Sequence, residues 1–160
     1  MSTELNIKGT GVALVTPFKT NGELKHLYGQ EDQLFENMEN GKFKDVSIER
    51  SSYFKEEHVG RGACLGDYDN DGRLDLLLAG ADVSQLWRNT GSAFSNVTAS
   101  VAPGLPGVAI SSVAWGDYDN DGRLDFRITG FNGSTNIFQL WRNRGSGFTN
   151  VTASVAPGLP

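Results

Sequence analysis

The decapeptide GDYDNDGRLD occurs at Gly66–Asp75 and again, unchanged, at Gly116–Asp125. A chain that repeats must fold into something that repeats, so this feature constrains the architecture more than any other. QLWRN at Gln85–Asn89 recurs at Gln139–Asn143, and NVTASVAPGLP at Asn96–Pro106 recurs at Asn150–Pro160. The spacing is 50 residues for the first motif and 54 for the other two, so four residues are inserted between them. An insertion confined there reads as a longer hairpin loop. A degenerate copy of the second half of the unit, QLFENMENGKFKDVS, covers Gln33–Ser47.

Each unit reads as four short strands. In the later unit these are Ala109–Trp115, then RLDFRITG, IFQLWRN and GFTNVT. Val, Ile, Phe, Trp and Thr dominate them, and Gly, Asn, Asp and Pro punctuate them. The earlier second strand is apolar on consecutive positions, Leu76-Leu77-Leu78, which argues burial on both faces. Four-stranded units of about 40–50 residues are the signature of propeller blades. The expected fold is all-β: a partial β-propeller of about two and a half four-stranded blades with Asp-rich calcium loops. The expected boundaries are an N-terminal segment at 1–28, a half blade at 29–56, and blades at 57–106 and 107–160. A helix fits only near Leu24–Met38, and the likeness to QLWRN argues strand for its second half.

The repeated loop carries the chemistry. Asp67, Asp69, Asp71 and Asp75 stand at loop positions 1, 3, 5 and 9, with Gly72 at 6 and the Arg73 carbonyl at 7. Asp117, Asp119, Asp121, Arg123 and Asp125 repeat the set. Calcium takes roughly 6–8 oxygens, and four carboxylates, a carbonyl and water supply that number. An all-oxygen set disfavours zinc and copper, and magnesium demands a stricter octahedron. An EF-hand is excluded, because its closing Glu is replaced by Leu78 and Ile128. The alternative is a metal-free hairpin rich in Asx turns. The charge distribution favours the cation. The net charge of −5 becomes +3 without these eight of the 19 acids, and two bound Ca2+ ions would bring the chain to −1.

On these residues the chain resembles the FG-GAP/VCBS repeat family, the calcium-binding blades of integrin-α-type propellers and many bacterial surface proteins. VAWGDYDNDGRLD followed by LWRN and a Phe-x-x-Val-Thr ending carries the likeness, over about Gln33–Pro160. HVGRGACLGDYDNDG resembles blades of ASPIC/UnbV-type proteins. The resemblance implies metal ligation by Asp67, Asp69, Asp71, Asp75, Asp117, Asp119, Asp121 and Asp125 and the carbonyls of Arg73 and Arg123. It also implies an extracellular or surface scaffold, non-enzymatic, with a protein or glycan ligand; a calcium-dependent adhesin or carbohydrate-binding module is the alternative. A closed propeller needs typically 4–8 blades, so the chain either joins copies of itself or is a fragment. Arg127, in the place of Leu77, either marks an end blade or snorkels to an acid.

Ile7–Leu24, IKGTGVALVTPFKTNGEL, is similar to the first strand and turn of the dihydrodipicolinate synthase/N-acetylneuraminate lyase family. Those (β/α)8 barrels need about 250 residues and a Schiff-base lysine, so a pyruvate lyase is the least favoured function. The segment reads as a fusion junction or as a strand recruited to cap the propeller fragment.

The remaining signals are weak. The start of the chain lacks the basic-then-apolar layout of a secretory signal. No apolar run reaches the roughly 20 residues of a membrane span, and no basic stripe suggests nucleic acid. Cys64 alone forms no internal disulfide and reads as a small buried side chain. Trp87, Trp115 and Trp141 read as packing rather than a sugar platform. Asn96, Asn132 and Asn150 head glycosylation sequons, two of which the repeat itself explains.

Overall fold

A computed structural model describes residues 12–15, 30–31, 33–38, 42–55, 57–58, 60–80 and 84–159. The chain divides into two units, Met1–His58 and Val59–Pro160.

In the first unit the strands are β1 (Val12–Val15), β2 (Gln30–Glu31), β3 (Gln33–Asn37), β4 (Phe43–Asp45) and β5 (Glu57–His58). A one-turn helix α1 (Ser47–Arg50) follows β4. The sheet order is β1-β3-β4, all antiparallel, with β2 and β5 paired separately. The helix considered at Leu24–Met38 is strand over Gln33–Asn37, and residues 24–29 lie outside the described residues.

The second unit holds two four-stranded antiparallel sheets. The first is β6 (Gly60–Gly66), β7 (Asp75–Gly80), β8 (Ser84–Asn89) and β9 (Phe94–Asn96), followed by α2 (Thr98–Val101). The second is β10 (Ala109–Gly116), β11 (Asp125–Phe131), β12 (Asn136–Asn143) and β13 (Phe148–Asn150), followed by α3 (Thr152–Val155). Each is a four-stranded meander in chain order, as a propeller blade requires. Residues 81–83 of the earlier hairpin lie outside the described residues, and in the later one the four inserted residues extend the pairing. They add two rungs, Gly130↔Ile137 and Phe131↔Asn136, beyond Thr129↔Phe138, the equivalent of Ala79↔Ser84.

The three copies share one set of hydrogen bonds. The Leu34, Leu86 and Leu140 amides each donate 2.8 Å to the hydroxyl of Ser47, Thr98 or Thr152. The Ser47, Thr98 and Thr152 amides each donate 3.0 Å to the side-chain oxygen of Asp45, Asn96 or Asn150. These Asx turns start the short helices, so the fourth strand, expected over GFTNVT, ends at Asn150 and Thr152 opens a helix instead. On this correspondence Ala13, Leu14 and Val15 of β1 face the residues that Leu76, Leu77 and Leu78 face in β7. By register β1 thus takes, beside β3, the place that β7 takes beside β8, and the rest of residues 7–24 lies outside the described residues.

The core of the second unit lies between its two sheets. The first sheet contributes Leu77, Ala79 and Leu86, and the second Phe126, Ile128, Trp141 and Phe148. All of β7 is buried, as consecutive apolar positions predict. Burying each large apolar side chain contributes roughly 1.5–3 kcal/mol. Phe126 stacks on Trp141 at 5.7 Å, and Trp115 meets Phe126 edge-on at 5.6 Å. A Cβ on Gly66 would lie 2.7 Å from the Trp115 ring, so this position has to stay glycine. Cys64 packs against the same core, and burial pushes its thiol up to about 12. Arg127 is exposed where Leu77 is fully buried.

Candidate metal loops

The loop conformation follows from two residues. Asn70 and Asn120 take φ 57°, and Gly72 and Gly122 take φ 84° and 82°. Asn tolerates the left-handed region better than most residues and Gly enters it freely, so Asp-Asn-Asp-Gly turns twice within four residues. Asp67 then caps the turn. Its oxygens accept the Asp71 amide at 3.0 Å and the Gly72 amide at 2.9 Å. Asp117 repeats this with Asp121 and Gly122 at 3.1 and 2.9 Å.

Asp75 and Asp125 begin β7 and β11 and are fully buried. Asp75 accepts the Asn89 amide at 2.8 Å and the Tyr68 amide at 3.1 Å. Asp125 accepts the Asn143 and Tyr118 amides at 2.7 and 3.1 Å. Each carboxylate therefore ties its loop to the third strand. Burial pushes Asp75 up to about 6 and raises Asp125 in the same direction, despite these donors.

Three of the four expected carboxylates of each loop lie together. Asp67, Asp69 and Asp71 each bring an oxygen within 4.8 Å of the others, as do Asp117, Asp119 and Asp125. Asp75 and Asp121, also expected as ligands, fall outside these two groups: Asp75 accepts the Tyr68 and Asn89 amides, and Asp121 pairs with Arg123 and Arg142. Arg73 and Arg123 follow the turning glycines. Their side chains fold back, each donating from Nε to the carbonyl of Asn89 or Asn143 and pairing with Asp71 or Asp121.

Two cations near the carboxylates were not foreseen from the sequence. Arg88, the Arg of QLWRN, lies 2.6 Å from Asp69 and 3.1 Å from Asp71. Arg142 lies 2.6 Å from Asp119 and 3.3 Å from Asp121. Burial raises Asp71 and Asp121, but the Arg73 and Arg123 amides and the arginine charges outweigh it and hold both carboxyls low. The repetition of QLWRN was the available signal. It read as a strand because only the fold brings that strand's end beside the loop.

The arginines do not satisfy the loops. Asp69 Oδ1, Asp119 Oδ1 and Asp119 Oδ2 are buried atoms without a hydrogen bond. The 2.6 Å contact of Arg142 with Asp119 Oδ2 is an ion-pair distance without hydrogen-bond alignment. Buried carboxylate oxygens left over in this way fit a spherical oxygen-seeking cation better than a planar guanidinium.

Residues 67–126 match the family model described as an FG-GAP-like repeat. The matched span runs from the first Asp of one loop, through the whole second loop, to Phe126. No curated protein and no solved structure matches the chain. The likeness of residues 7–24 to the lyase family gains no support from these comparisons. Among the described residues, no helix is long and apolar enough to cross a membrane.

Proposed function

We propose that this chain, whose residues 67–126 form an FG-GAP-like repeat, is a calcium-stabilised scaffold module with one ion in each Asp-rich loop. The observation that carries the reading is the convergence of the loop carboxylates around buried oxygens that no protein donor satisfies. Asp67, Asp69, Asp71 and Asp75 would hold one ion, and Asp117, Asp119, Asp121 and Asp125 the other, with the Arg73 and Arg123 carbonyls. The ion supplies charge neutralisation where two carboxylates at 4 Å repel by about 4 kcal/mol at an effective dielectric of 20.

The role is structural. Each loop joins the first two strands of its blade, and its last Asp anchors the third strand, so an ion there braces most of the sheet. No reaction is assigned to it. Extracellular modules bind calcium with dissociation constants of about 10⁻⁴–10⁻³ M, and a surface location would keep such loops filled.

Calorimetric titration of the chelator-stripped chain tests this. The expected result is two calcium equivalents, reduced to one by Asp69→Asn or Asp119→Asn. Identical thermal unfolding with calcium and with EDTA, together with no heat of binding, would overturn it.

A further inference from the structure

The packing of one blade on the next has a template inside the chain, and both of its halves recur exposed. Tyr68, in the first Asp-rich loop, is 8% exposed and lies 5.7 Å from the Phe148 ring of the second sheet. Its equivalent Tyr118 is 37% exposed. Val101 and Leu105 pack against the shared core, whereas their equivalents Val155 and Leu159 are exposed. Gly66 receives Trp115, but a Cβ on Gly116 would meet nothing within 4 Å. The outer face of the second sheet is therefore built like the surface that the first sheet uses to receive a blade.

The opposite half recurs in the first unit. Phe43 opposes Asn37 in the register that Phe148 has with Asn143 and Phe94 with Asn89. Phe94 and Phe148 are 8% and 5% exposed, but Phe43 is 42% exposed. Among the described residues, the second unit thus presents Tyr118 with no Phe packed on it, and the first unit presents Phe43 with no Tyr packed on it.

We infer that the chain associates head to tail with a second copy of itself, Phe43 of one copy packing on Tyr118 of the next as Phe148 packs on Tyr68. The occupant is a second copy because the chain itself carries both halves of the joint. The contact is heterologous, so it generates closed rings or open chains rather than a two-fold dimer. It follows from the repeat packing and does not depend on the calcium reading.

The test is sedimentation velocity of the full chain over a concentration series, with calcium present throughout. Phe43→Glu and Tyr118→Glu are both exposed-site changes. The wild type is expected to form oligomers larger than a dimer, and each variant alone to be monomeric. An equimolar mixture of the two is expected to form a heterodimer and stop there, because one intact Phe43 face meets one intact Tyr118 face. That recovery also demonstrates that both variants are folded. A monomeric wild type at every concentration, a single variant that still oligomerises, or a mixture that stays monomeric would each overturn the inference.

Discussion

Asn143 donates from Nδ2 to the Tyr68 carbonyl at 2.8 Å, tying the third strand of the second blade to the Asp-rich loop of the first. The same amide group reaches the Leu124 carbonyl at 3.2 Å, and its oxygen accepts the Gly145 amide at 2.8 Å. Among the described residues, the side chain of Asn89, its equivalent, bonds within its own blade, to the Leu74 carbonyl and the Gly91 amide. One side chain thus links loop geometry to blade packing.

Asn143→Ala is expected to cost about 3 kcal/mol, because it leaves buried partners unpaired at about 1 kcal/mol or more each. Asn89→Ala should cost about half that. Urea unfolding of the two variants checks the order, and equal losses would detach Asn143 from the inter-blade role.

Calcium at 100 times its dissociation constant is expected to stabilise the second unit by about 2.7 kcal/mol per site. For a chain of this size each kcal/mol raises Tm by about 2–4 °C. Differential scanning fluorimetry with calcium and with EDTA measures the shift. Magnesium at equal concentration should give less, since it holds more strictly to octahedral geometry.

Arg88 and Arg142 pair with the carboxylates that a bound cation would need, so on the proposed reading they would compete with it. Arg88→Gln is expected to tighten calcium binding at the first loop about tenfold, equivalent to about 1.4 kcal/mol of lost competition. It should also lower stability in EDTA, where the ion pairs with Asp69 and Asp71 are lost. Calorimetry and chelator-based melting check both arms. Weaker calcium binding in the variant would make the arginine a supporting residue instead.

The pH dependence without calcium has two parts. Asp75, raised to about 6 from an ordinary 3.8, binds its proton more tightly folded than unfolded. Its contribution is fully present below about 3.8 and is lost as pH rises through about 6. Asp125 acts in the same direction. Asp71 and Asp121 are held low, so their contribution is present above 3.8 and lost on acidification. Stability in EDTA should therefore fall between about pH 4 and 6, and calcium should remove that fall. Melting curves across this range decide the sign.

Ile110 takes φ 50° at an irregularity in β10 and is 82% exposed. A β-branched residue there is strained by about 1–3 kcal/mol. The first blade has Gly60 at this position. Ile110→Gly is expected to raise stability by about 1 kcal/mol after the entropic cost of glycine. Thermal melting checks it, and a lower Tm would mean that the side chain packs.

The repeats, strands and Asp-rich loops were legible because each depends on neighbours in the chain. Asp-Asn-Asp-Gly turns wherever it occurs, since Asn70 and Gly72 accept positive φ locally. The degenerate copy at Gln33–Ser47 was legible for the same reason, and Leu34 and Ser47 keep the bond that Leu86 and Thr98 make. The short helices were missed because an Asx turn at Asn96 overrides the strand preference of Val97 and Thr98.

The sequence by itself determined the unit, its two copies and the carboxylates that each loop carries, because strand pattern and turn chemistry act over a few residues. Only the tertiary structure decided what stands opposite. Arg88 reaches Asp69 because β8 lies beside β7, and Asn143 reaches Tyr68 because the second sheet packs on the first. Tyr68 and Tyr118 sit in identical decapeptides, yet one is buried and the other exposed. Burial depends on what a face packs against, and identical segments carry no record of that.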